Sequence, residues 1–68
     1  MKLFHPMAKV YGATPPLDTL FVSDGCESMD DAYKQFIIWG NMGYHIKCAW
    51  IDVYKDGEKK NRIDVYKE

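Results

Sequence analysis

The chain has 68 residues, a net charge of −1, 47% hydrophobic residues, 15% aromatic residues and 28% charged residues. That length allows one domain, residues 1–68, and no more. The composition excludes a disordered tail, and the near-neutral charge excludes a global field that would draw in nucleic acid or a membrane.

Residues 3–11 mix apolar and β-prone side chains, and Pro6 within them argues for an edge strand or a strand that begins after it. The breakers of segment 12–16, with Pro15 and Pro16, read as a loop. Leu20, Phe21 and Val22 form a short β-prone run, closed by the turn signal Ser23-Asp24-Gly25.

A helix follows. Ser28 is a natural N-cap, and Asp31, three residues on, can reach back toward the cap amide. Asp30 and Asp31 lie in the first turn, where the helix dipole favours anions. This accounts for much of an acidic stretch, 18–31, that holds five acids and no base. Ala32, Phe36 and Trp39 recur at helical spacing, flanked by Tyr33 and Ile37. Gly43 suits the left-handed position that ends a helix near Met42.

Residues 44–55 then read as a long strand rich in Ile, Val, Trp and Tyr. Asp56-Gly57 is a hairpin signal, and 58–67 is the returning strand. The predicted fold is therefore α+β: a small antiparallel sheet of three or four strands, in chain order β-β-α-β-β, with one helix packed on one face. A two-residue turn pairs Trp50 with Ile63, and a loop one residue longer pairs Ala49 with Ile63.

Alternation sorts the long strand onto two faces. Ile46, Cys48, Trp50 and Tyr54 fall on one, and Ala49, Ile51 and Val53 on the other. The returning strand places Ile63 and Val65 on one side, and Tyr66 on the other with Lys60, Arg62 and Asp64. A strand with one wet face alternates between apolar and polar residues, whereas both faces here are apolar. A helix of about 14 residues is about 21 Å long and covers one face of a small sheet. The other face needs the leading segment, a second copy of the chain or a partner.

No motif for catalysis stands out. Cys26 precedes the helix, but Asp24, Glu27, Asp30 and Asp31 disfavour its thiolate. His45 and Cys48 are three apart on a strand and point to opposite faces, so they do not converge on a metal. No nucleophile motif, phosphate-cradling glycine loop or dinucleotide fingerprint is present. The expectation is a non-enzymatic protein without cofactor or metal. It would act as a binding or regulatory module through a protein–protein interface, on the sheet face that the helix leaves uncovered, with a homodimer as the first form.

The alternative is nucleic-acid binding by the C-terminal hairpin. Lys59, Lys60 and Arg62 lie near Trp50, Tyr54 and Tyr66, and rings beside cations are the working parts of single-strand binders. Asp52, Asp56, Glu58, Asp64 and Glu68 dilute that charge, as gatekeepers on an edge strand would. No stretch approaches the ~18–20 apolar residues that span a bilayer. His5, Pro6 and Lys9 interrupt the apolar run that a secretion signal needs. The expected compartment is the cytoplasm, with both cysteines reduced.

Overall fold

The computed structural model describes residues 1–12 and 18–68; from residue 13 to 16, the loop expected over 12–16 lies outside the described residues. The strands are β1 (Lys2–Tyr11), β2 (Asp18–Val22), β3 (Ile46–Lys55) and β4 (Glu58–Lys67), with the helix α1 (Met29–Asn41) between β2 and β3 in the chain. They form one antiparallel sheet in the order β2-β1-β3-β4. The helix lies against the two central strands, β1 and β3.

Local chemistry sets the helix ends. Ser28 has an extended backbone, and its Oγ accepts the Asp31 N–H at 3.2 Å. That satisfies one of the four amides a helix start leaves open. The Asp31 carboxylate turns outward to Lys34 at 3.7 Å. Met42 caps the other end, and Gly43 follows at φ +89°, a conformation that costs glycine little.

β1 runs straight through Pro6 as a central strand, not an edge strand. Phe4 exchanges both backbone hydrogen bonds with Cys26, and the Pro6 carbonyl accepts from Ser23 N–H. Even-numbered residues of β1 therefore turn their backbone groups toward the β2 side. There the partner strand stops at Val22 and detours through Ser23–Gly25 before pairing resumes at Cys26. Pro6 keeps its carbonyl's bond to Ser23 and forgoes only the reciprocal one, at the point where β2 has already ended. Gly25 sits close above β1: a Cβ there would lie 2.8 Å from His5 Nε2 and 3.1 Å from Leu3 Cβ. Close approach, not a special φ, makes it a glycine.

The hairpin turn is the two-residue one, with Asp56 at φ 53° and Gly57 at φ 81°, the signs of a type I′ turn. Its register matches neither sequence expectation, because Ile63 pairs with Ile51. Lys60 is an extra residue between the pairs Tyr54–Lys59 and Val53–Asn61. A slip of one residue exchanges faces, so this bulge turns Ile63 toward the helix instead of Arg62. Val65 is a second extra residue, between Trp50–Asp64 and Ala49–Tyr66. Lys47 is a third, between Lys9–Cys48 and Val10–Ile46. Three assignments change as a result, and the first is Lys60, which moves to the side of Val53 and Ile63. Ile46 packs with Ala8, Trp39 and Ala49 under the helix, not beside Cys48 and Trp50. Tyr66 pairs with Ala49 on the helix side, not with Arg62 and Asp64.

The core lies between α1 and the sheet in two adjoining clusters. Trp39 sits on Ala8 and Ala49, a cross-strand pair of small residues that leaves room for the indole, with Phe21 and Phe36 edge-on to it. Ala32 sits on Ile51 and Val53, flanked by Phe4, Met29, Phe36 and Ile63.

Candidate functional site

The six residues expected to form a site do not all share one surface. Trp50, Tyr54, Lys59 and Arg62 lie on the open face of the sheet, away from the helix. Lys60 sits in its bulge, ion-paired to Glu58 at 2.9 Å, and lines a pocket on the helix side with Phe4, Val53 and Ile63. Tyr66 lines a different helix-side groove and, near the end of β4, a pocket it shares with Arg62 and Asp64.

The open face covers itself at its centre. Trp50 is 7% exposed although no helix or strand among the described residues lies above it. The Arg62 guanidinium rests 4.3 Å from its ring centroid, and its Nε donates to Asp64 at 3.1 Å. This buries the ring under a cation–π contact and does not offer it to a base. His5 packs on Tyr54 at 4.7 Å between centroids. Register places His5, Asp52 and Arg62 in one row across three strands. The leading segment is a strand of the sheet, not a cover for it. At its β2 margin this face exposes the apolar side chains of Leu20 and Val22, and at β4 the charged Lys59, Arg62 and Asp64.

Asp52 is the polar residue this face conceals, at 6% exposure. Its Oδ1 accepts no hydrogen bond, and Lys59 Nζ stands 3.4 Å away as a counter-charge without hydrogen-bond geometry. Removing the partner of a buried charge costs more than a surface pair is worth. The half-exposed Lys59 side chain sets the effect between the two limits. Lys59→Met is expected to lower stability by about 1–2 kcal/mol, whereas Lys55→Met at the same hairpin is expected to stay within about 0.5 kcal/mol. Urea unfolding of both variants measures the difference.

Cys26 is a poor nucleophile by its setting. Burial raises its thiol pKa first, and the charges of Asp31 and Asp24 raise it further. Among the described residues no group of three or more His, Cys, Asp or Glu side chains is placed to hold a metal ion. No described helix is long and apolar enough to cross a membrane.

Two apolar openings border α1: the larger, about 550 Å³, is lined by Leu20, Phe21, Val22, Trp39, Met42 and Tyr44, and the other is one the sequence reading missed. It lies between α1 and the end of β4, where the helix leaves the sheet uncovered. Phe36, Tyr44, Ile46, Ala49, Val65 and Tyr66 line it, with His45 at one end, around a volume of about 330 Å³. Tyr33 and Ile37 flank it on the helix, both exposed. At the groove's end Glu68 accepts from the Tyr11 hydroxyl and pairs with His45 at 3.5 Å, which ties the tip of β4 to β1. The signal for this groove was the pair of apolar flanks on the helix, Tyr33 and Ile37, which exceed what two central strands can cover.

No protein-family model, no curated protein and no solved structure matches this chain.

Proposed function

We propose that this domain is a non-catalytic binding module that acts through a protein–protein interface, and that its first partner is a second copy of itself. The apolar groove beside α1 carries this reading. A ridge, Tyr33 and Ile37, stands beside a groove floored by Ile46, Ala49 and Val65. A surface with both parts is self-complementary, because a twofold axis seats each copy's ridge in the other's groove. The standard interface takes roughly 800 Å² from each partner, a modest share of the 4770 Å² this protomer exposes. A domain this small gains much of its stability from such association.

Gly40 supports the same placement. It lies on the groove flank of the helix, four residues after Phe36 and three after Ile37. A Cβ there would meet nothing within 4 Å. Glycine inside a helix costs about 1 kcal/mol relative to alanine, and no contact within the protomer requires it. A partner backbone crossing at this point would. Gly40→Ala is therefore expected to have opposite effects. It should raise the stability of the dilute monomer by up to about 1 kcal/mol and weaken dimerisation. Thermal melts at low concentration and sedimentation equilibrium read the two signs separately.

The test of the reading is mass against concentration. The expected result is a monomer when dilute and a dimer when concentrated. A monomer at the highest soluble concentration removes the proposal. Mixed-sequence single-stranded DNA at low salt, where electrostatic binding is strongest, is the control ligand. Retention there, lost on replacing Lys59 and Arg62, would put nucleic-acid binding in its place.

A further inference from the structure

A second helix-side pocket lies at the hairpin end of the sheet, apart from the groove. Its floor is Phe4, Val53 and Ile63, its rim carries Lys2, Lys55 and Lys60, and its volume is about 290 Å³. Three observations single it out. Lys2 and Lys55 are direct cross-strand partners, and like charges placed opposite each other destabilise a sheet. Among the described residues neither has a carboxylate within 4.0 Å: Asp56 is taken by the N-terminal ammonium and Glu58 by Lys60. The third is the Lys60 bulge, which brings one more ammonium to the same rim. Glu58 offsets the Lys60 charge and Lys2 Nζ stands 5.6 Å from the Phe4 ring centroid, which leaves the facing Lys2 and Lys55 without a carboxylate within 4.0 Å among the described residues.

We propose that this pocket binds a small organic anion, a carboxylate or phosphate carried on an apolar body. The anion sits between Lys2 and Lys55, each a point charge with rotatable donors. The body lies on Phe4, Val53 and Ile63. The volume is at the small end for ligand pockets, which suits one aromatic ring or a short acyl chain. This site and the dimer groove stand or fall separately.

The test uses the full chain, labelled with nitrogen-15, and follows amide shifts. Octanoate probes the carboxylate source and phenyl phosphate the phosphate source. Octanol and inorganic phosphate each keep half of the ligand. The expected result is saturable shifts at Phe4, Val53, Lys55 and Ile63 with at least one of the two amphiphilic anions. Each half-ligand should bind at least about tenfold more weakly, the equivalent of one lost charge-assisted or apolar contact. Lys2→Glu supplies the second readout, because Lys2 faces only Lys55 in the sheet. It should lower the affinity for the anion by at least about tenfold while raising the thermal midpoint, because it replaces a like-charge pair with an opposite one. A simply misfolded variant would lower both. The proposal is overturned if neither anion gives saturable shifts, if octanol binds as well as octanoate, or if Lys2→Glu keeps full affinity.

Discussion

Trp39→Ala is expected to leave most of the protein unfolded at room temperature. The indole is 8% exposed and forms the bridge between α1 and the sheet. Beneath it Ala8 and Ala49 face each other across β1 and β3, and beside it Phe21 and Phe36 stand 5.5 and 5.8 Å away between ring centroids. Two alanines cannot close the gap an indole leaves, so the site cannot collapse. Truncating a buried Trp costs about 3–5 kcal/mol, while a 68-residue domain has roughly 3–10 kcal/mol in total. Loss of near-ultraviolet circular dichroism and of dispersed amide signals would show the effect. Ile38→Ala, on the exposed side of the same helix, is expected to stay within about 0.5 kcal/mol of the parent. If Trp39→Ala instead melts only slightly earlier, the helix does not pack on the sheet as described.

The contrast between Trp39 and Ile38 shows what the sequence could and could not convey. Ser28 and Gly43 mark the helix ends because the chemistry that stops a helix is local: a hydroxyl for a free amide, and a residue tolerant of positive φ. Asp56-Gly57 marks the turn for the same reason, since both residues take positive φ. The helix's inner stripe is equally legible, and Ala32 and Trp39 are buried as their spacing implies.

The faces of the sheet were legible only in part. A bulge is one extra residue with no composition of its own, and Lys47, Lys60 and Val65 each shift everything beyond them by one. Strict alternation sorts Trp50 and Ile51 correctly and then fails at Ile46 and at Tyr66, each lying beyond a bulge. The same shift separates Lys60 from Lys59 and Arg62, and so divides a basic, aromatic cluster between two faces. Pro6 misled for a different reason. The cost of a missing N–H depends on what it faces, and here it faces the gap after Val22, which the sequence around Pro6 does not announce. The sequence places the apolar surplus on the sheet face away from the helix, whereas the structure exposes apolar side chains on both sides of the sheet, Leu20 and Val22 on one and Ile37 and Tyr66 on the other. Arg62 and His5 pack onto the rings of the open face, whereas Ile37 and Tyr66 stay exposed on the helix side.

Ile37→Asp is expected to abolish self-association while leaving the protomer folded. Ile37 is 62% exposed in the protomer, so losing its side chain there costs at most about 0.5 kcal/mol. In a twofold dimer the same substitution acts twice, since the patch on each copy meets its equivalent. A carboxylate placed in an apolar interface without a partner costs about 2 kcal/mol or more per copy. The sum, about 4 kcal/mol, corresponds to a roughly thousandfold rise in the dimer dissociation constant. Sedimentation equilibrium measures that rise, and an unchanged melting midpoint in dilute solution shows that the fold survives. Val22→Asp is the matched control, because Val22 is 60% exposed on the β2 margin of the open face. It should leave the dimer as strong as in the parent. If the two variants exchange behaviour, the copies meet across the open face of the sheet and the groove beside α1 has another use.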